Sequence, residues 1–354
     1  VRQRRREVGS DAQRVNLSGW SFEDGIDFTF PAGTTLQPGA FLVVAADAAW
    51  MKSVYGNIPV IGDYTGNLRN GGELLRLEDT WGNLVDQVDY LPSGDWPELT
   101  DGDGSSMELK HPEMDNDSPS AWADSDESGK GEWKTFTHEE TYQELRSRGS
   151  SSEYKEFHFH LVGDSYLVLR NIQLRENGTG GNLLQNVTQK SSNGYSNTGW
   201  LCTGNHWASF LQRGELHLIC DGHGDNKANR AEIDCTGIQR NRNYEISFEA
   251  RWVHGKPRLI AQTWDHTVGS TFEVPIPNNL GTPGAENSRL QSAPPPEVTK
   301  VLHSPAVPRV NQSVVVTARV GSADPLTSVR VWYRLDNSSA NGSWQQQSMN
   351  DNGV

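Results

Sequence analysis

Short apolar runs between turn clusters dominate this chain, and in several of them apolar and polar residues alternate with a period of two. That is the pattern of a strand buried on one face. The clearest case is "YEISFEARW": Tyr244, Ile246, Phe248, Ala250 and Trp252 share one face, and Glu245, Ser247, Glu249 and Arg251 share the other. "SYLVLRNIQL", "ELHLIC" and "RLIAQTW" predict further strands, and "EWKTFTHEETY" predicts an edge strand opening the same unit. A helix over His138–Arg148 is the other option there, but no apolar stripe supports it. Nearer the N-terminus, Phe28 and Phe30 alternate with Asp27 and Thr29, and Leu17 and Trp20 bracket a Ser-Gly turn. Phe41–Ala45 is a continuous apolar run suited to a buried strand, and Asp47 is placed to cap one or two helical turns ending near Tyr55. Gly71-Gly72 launches Leu74–Leu77, and Trp81-Gly82-Asn83 reads as a hairpin loop into Val85, Val88 and Tyr90. Further on, "SVVVTARV" and "VRVWYRL" read as strands, the latter with Val329, Val331, Tyr333 and Leu335 facing one way.

At 354 residues with 34% hydrophobic content, the chain is too long for a single core, so two or three domains are expected. The expected fold class is all-β, as tandem β-sandwiches. The predicted segments are 1–125, ending in an acidic, Pro-containing connector; 130–290, whose roughly eight short strands suggest a jelly roll; and 297–354, after the stiff Pro294–Pro296 linker. A complete sandwich of the last type needs roughly 90 to 100 residues. Only 58 are present here, so the third domain reads as cut short.

The net charge of −14 disfavours binding to phosphate backbones, so no nucleic-acid partner is expected. Arg2–Arg6 is the one basic cluster, read as a frayed terminus. No apolar run approaches the roughly 20 residues that span a bilayer. The chain opens on Val with no visible signal peptide, and is read as a fragment. The three cysteines, Cys202, Cys220 and Cys235, fit no zinc spacing; one disulfide or three buried thiols are both open.

The run "NLSGWSFEDGIDFTFPAGTTLQPGAFLVVAAD", followed by "GNLRNGGELLRLEDTWGNLVDQVDY", resembles the lamin-tail domain. That resemblance implies an immunoglobulin-like sandwich of the kind bacteria string onto large exported proteins, a module that holds or displays rather than catalyses. The opening "VRQRRREVGSDAQRV" departs from the family's first strands. In the middle segment, "NIQL", "NLLQN", Gly199-Trp200, "ELHLICDGHGDNKANRAE" and "YEISFEARW" occur in an order that resembles galactose-binding-like and carbohydrate-binding jelly rolls. The last segment resembles the start of a fibronectin-type or immunoglobulin-like module. Together they resemble the accessory part of CotH-kinase-like multidomain proteins, which implies an extracellular or cell-surface location.

The middle segment carries the binding candidates. Tyr195, His206, Trp207 and Trp264 combine aromatic faces, which stack on sugar C–H faces, with neighbouring amides and acids. For Trp207 and Trp264 a core role is the simpler reading and a ligand platform the alternative; Trp252 reads as core. The polar turn Asp221, Asp225, Asn226, Asn229 and Glu232 offers oxygens for a structural calcium, but a hydrogen-bonded surface turn is the simpler reading. His158 and His160 point the same way and could hold a transition metal, but no third ligand is evident, and a solvated strand face is the simpler reading. No G-x-S-x-G elbow, phosphate loop or kinase signature is present, and carboxylate pairs such as Asp101/Asp103 and Asp115/Asp117 are unremarkable in an acidic β protein. The expected function is therefore non-catalytic: an accessory or scaffold region with polysaccharide or glycan, or cell-surface proteins, as partners. A polysaccharide hydrolase is the rival.

Overall fold

The computed structural model describes residues 14–143, 156–223, 227–264, 267–322, 325–334 and 343–351. The protein is all-β, in several antiparallel sheets, as the alternation requires. It divides into two compact units, one of Val1–Leu109 with Asp115–Leu290 and one of Lys110–Met114 with Gln291–Val354.

The first part of the larger unit builds a five-stranded sheet in the order Thr65–Gly66, Ile26–Thr29, Ser21–Glu23, Glu73–Glu78, Leu84–Tyr90. Val15–Asn16 pairs with Thr35–Leu36, and Val43–Ala45 runs parallel to Val60–Gly62. A parallel pair needs a crossover, and the helix Ala48–Tyr55 supplies it. The Asp47 side chain accepts the Trp50 amide at 2.8 Å and starts that helix. Leu17, Phe30, Leu36 and Leu77 form the core, flanked by Phe22, Phe28, Val44 and Ile61. Gly72 has φ +87°, and a Cβ there would lie 2.4 Å from the Tyr90 carbonyl oxygen; only glycine fits this start of the 73–78 strand. At the far end of that hairpin, the Asp79 carboxylate accepts the amides of Trp81 and Asn83, which leaves Trp81 at the tip.

The second part packs two five-stranded antiparallel sheets. One has the order Lys134–Thr141, Asn243–Gly255, Asp164–Glu176, Glu215–Asp221, Phe210–Gln212. The other has the order Leu201–Thr203, Arg230–Asp234, Glu156–Leu161, Arg258–Thr263, Gly269–Glu273. Lys134–Thr141 is an edge strand, not a helix. Tyr244, Ile246, Phe248, Ala250 and Trp252 are all buried, as their alternation demands. Phe159 stacks on Trp200 at 5.5 Å and meets Phe248 edge-on at 5.4 Å, which joins the two sheets through one aromatic cluster. The buried indoles keep their polar groups satisfied: Trp200 Nε1 donates to the Val187 carbonyl at 3.0 Å and Trp252 Nε1 to the Gly255 carbonyl at 2.8 Å. The three cysteines are free thiols. Burial pushes the Cys202 thiol up to about 11, which leaves it protonated and unreactive at neutral pH.

The two parts of this unit keep separate cores, yet the acidic connector between them is not a passive linker. Met107–Leu109 pairs with Trp122–Asp124. From that pair, the nearly buried Glu108 accepts Thr282 Oγ1 at 2.6 Å, Ser288 Oγ at 2.7 Å and the Arg289 amide at 3.2 Å. Glu127, equally buried, accepts the Gly281 amide at 2.7 Å and pairs with Lys130 at 2.8 Å. Tyr55, from the helix of the first part, donates to the Leu280 carbonyl at 2.6 Å. A low-dielectric site strengthens these charge-assisted bonds and makes an unpaired carboxylate costly. Two glutamates that read as ordinary linker acids thus hold the segment 280–289 in place.

In the smaller unit, Glu297–Ser304 pairs with Val315–Gly321 and Arg330–Tyr333 with Gln345–Ser348. Among its described residues from 291 on, no side chain is buried, and Trp332 and Trp344 are more than half exposed. Leu335, read as facing with Val331 and Tyr333, lies outside the described residues.

Glu108→Gln turns one buried acceptor oxygen into a donor facing Ser288 Oγ and the Arg289 amide. Urea unfolding should show a loss of about 2–4 kcal/mol. A passive connector would give a change within about 0.5 kcal/mol. Trp252→Ala, a core truncation, should cost about 3–5 kcal/mol in the same assay.

Candidate functional site

The outer face of the Glu156-containing sheet carries a cluster of two carboxylates, two imidazoles and a guanidinium. Its origin is the period of two. Phe157, Phe159 and Leu161 point into the core, so Glu156, His158 and His160 must point out. On the neighbouring strand, Ala231 and Ile233 are buried, which sends Arg230, Glu232 and Asp234 to the same outer face. Register then sets the partners: His158 lies opposite Glu232 on one side and Gln262 on the other, and Glu156 lies opposite Asp234.

His158 is only 2% exposed although it sits on the outer face. The expected solvated strand face is therefore corrected at this residue: neighbouring side chains cover it. Its Nε2 lies 3.0 Å from Glu156 Oε2 and 3.9 Å from Glu232 Oε2. Arg230 bonds Glu232 through Nε and reaches Glu156 Oε2 at 3.5 Å through Nη2. The Trp264 ring closes the cluster, edge-on to His158 at 5.6 Å and with the Arg230 guanidinium 5.2 Å from its centroid. His160 donates from Nδ1 to the Asn229 carbonyl at 3.2 Å and accepts Gln262 Nε2 at 3.2 Å. Trp264 is thus neither core nor a free stacking platform: it is the wall of a charged cluster.

The other candidate residues separate. Trp207 is 67% exposed and Tyr195 69% exposed, against 0% for Trp200 and Trp252. The Trp207 Nε1 donates to Asp221 Oδ2 at 3.3 Å, which holds the edge of the indole while its face meets solvent. Tyr195 precedes the short helix Ser196–Thr198, which Ser196 ties to Asp234 at 2.6 Å; Trp207 follows Gly204–His206, which is tied to Asn229. The two turns that carry these rings are therefore tied to opposite ends of the Arg230–Asp234 strand. Gly204 permits the second contact: at φ +59°, a Cβ would lie 2.1 Å from Asn229 Oδ1.

His206 does not face solvent. It is fully buried, accepts the Leu161 amide on Nε2 at 2.9 Å and donates from Nδ1 to Asn205 at 2.6 Å. Burial pushes its pKa down to about 4, so it is a neutral structural imidazole, and its expected place on a ligand loop is corrected. In the proposed calcium turn, Asp221 accepts the His223 amide and Trp207, and Asn229 Oδ1 accepts the Asn205 amide. Asp225 lies outside the described residues. Among those described, the side chains gathered within metal-binding reach are Glu156, His158 and Glu232, with donor atoms within 4.8 Å of one another.

Glu156 and Arg230 had a signal in the sequence: "RAEID" alternates as cleanly as "EFHFHL". Alternation names the outward residues but not which strands adjoin. The outer face of the other sheet was also missed. There Arg170 and Arg251 stack on Trp133 at 4.0 and 5.4 Å, the Tyr166 hydroxyl and His217 Nδ1 share a hydrogen bond of 2.6 Å, and Phe210 stacks on His217 at 4.4 Å.

Residues 9–92 match the family model of the Lamin Tail Domain, an immunoglobulin-like module, which accounts for the first part of the chain. No curated protein and no solved structure gives a significant match.

His206 binds a proton more readily unfolded than folded, since its ordinary pKa of 6.5 falls to about 4 on folding. Its contribution is whole above pH 6.5 and is lost as pH falls toward 4, by up to about 3 kcal/mol. In His206→Gln, urea stabilities measured across that window should lose this part of the slope; an unchanged slope would contradict the assignment.

Proposed function

We propose that this chain is a non-catalytic accessory and scaffold region of a larger exported or cell-surface protein, and that its second sandwich binds carbohydrate. The observation that carries the binding reading is the exposure of Trp207 and Tyr195. Phe157, Phe159, Trp200, Phe248 and Trp252 of the same sandwich are covered, whereas both these rings stand on polar loops with exposed faces able to stack on sugar rings. The lamin-tail match supports the display and scaffold part of the reading, because such a module brings no catalytic constellation of its own.

Strand order supports a jelly roll for the second sandwich. Its first long strand, Lys134–Thr141, lies beside the late strand Asn243–Gly255, and Glu156–Leu161 lies between Arg230–Asp234 and Arg258–Thr263. Early strands thus pair with late ones across both sheets, the wrapping that defines that fold. A structural calcium at the 221–229 turn and a CotH-kinase-like catalytic partner elsewhere in the parent protein belong to the same reading. The hydrolase alternative has less support at this cluster, because Glu156 and Glu232 are both engaged by Arg230 rather than free to act as acid and base.

Immobilised glycans and insoluble polysaccharides should retain the full chain without releasing reducing ends. Trp207→Ala and Tyr195→Ala should each weaken retention about tenfold, the loss of roughly one ring stack. Because both rings are exposed, unfolding stability should move by less than about 0.5 kcal/mol. Retention unaffected by both changes, or release of reducing ends, would contradict the reading.

A further inference from the structure

The carbohydrate reading leaves Glu156, His158 and Glu232 unused. We propose that these three side chains bind one divalent transition-metal ion of the zinc or cobalt(II) type on the outer face of the second sandwich. The three donors are different side chains from the exposed rings Trp207 and Tyr195, and neither proposal needs the other.

The geometry is built by the sheet. Glu156 and His158 are two positions apart on one strand, and Glu232 is the register partner of His158 on the next. Backbone pairing therefore sets the three donors side by side before any ligand arrives. The His158 Nε2 lies 3.0 Å from one carboxylate oxygen and 3.9 Å from the other, and all three donor atoms fall within 4.8 Å of one another. A tetrahedral ion with ligands at about 2.1 Å places them about 3.4 Å apart, so small side-chain adjustments would complete three corners. The fourth corner would take water.

Donor chemistry narrows the ion. One imidazole nitrogen with two carboxylates suits zinc, cobalt(II) and their neighbours. Calcium wants six to eight oxygens and magnesium an octahedron of them, which this set does not offer. His158 is held in place by the edge of Trp264 and by His160, so the nitrogen pays little ordering entropy on binding.

Arg230 is the natural competitor. Two carboxylates on adjacent strands repel, and in the metal-free fold the guanidinium offsets them by contacting both. A dication between the carboxylates would take over that role, leaving Arg230 on the face of Trp264. The same charge that stabilises the empty cluster therefore opposes metal entry.

This relation gives opposite signs for two variants. The full chain, stripped with chelator, is titrated with Zn2+ by calorimetry and with Co2+ by visible absorption, and melting curves report folding. Wild type should bind one equivalent at this site, with Co2+ giving the intense visible bands of low coordination. His158→Ala and Glu156→Gln should each weaken binding at least tenfold and abolish those bands. Glu156 is partly exposed, so its variant should remain folded even if His158→Ala does not. Arg230→Gln should tighten binding about fivefold or more. The proposal is overturned if no equivalent binds, if Glu156→Gln binds as wild type does, or if Arg230→Gln weakens binding.

Discussion

The second sandwich depends on a single constraint: the strict alternation of Glu156–Leu161 in the middle of its sheet. Phe157, Phe159 and Leu161 complete the inner face, where Phe159 meets Trp200 and Phe248. The same alternation forces Glu156, His158 and His160 outward. A one-residue slip would put two histidines into an aromatic core and expose two phenylalanines, so hydrophobic burial fixes the register. That register then brings Glu232 and Gln262 opposite His158, with Arg230 alongside, and lets Gln262 reach His160 diagonally. The charged outer cluster is thus a consequence of the core, and its position is as well specified as the core itself.

Polar groups make the joins that apolar packing does not. The Leu161 amide, at the end of the central strand, is bonded by the buried His206, which anchors the 204–206 turn and so sets the base from which Trp207 projects. Glu108 and Glu127 do comparable work for segment 280–289. In each case a buried polar side chain accepts backbone amides that have no partner in a sheet. Removing such a group strands a buried donor, and these groups place loops that apolar contacts alone would leave free.

Much of this fold was legible in the sequence. The nine-residue alternation at Tyr244–Trp252, the Asp47 cap, the Gly72 turn and the edge strand at Lys134–Thr141 all follow from local pattern. The candidate site was legible only in pieces. "EFHFHL" and "RAEID" each declare their outward residues, but pairing across about 70 residues of chain cannot be read from either. Burial of outward residues was the main failure. His158 is outward by period and covered by Arg230 from the next strand and by Trp264, just past the end of the Arg258–Thr263 strand. His206 stands in a polar loop, and nothing local signals that the loop folds over the end of a sheet. The roles of Glu108 and Glu127 were hidden by composition, since a buried acid is indistinguishable from its exposed neighbours in an acidic connector.

Native-state hydrogen exchange tests the central constraint most directly. The described register makes Glu156–Leu161 a central strand, paired on both sides and anchored at Leu161 by His206. Its amides, with those of Tyr244–Trp252, should exchange only through global unfolding, well after the edge strand Lys134–Thr141. Exchange of 157–161 as fast as that edge strand would contradict the register, and with it the placement of every residue on the outer face.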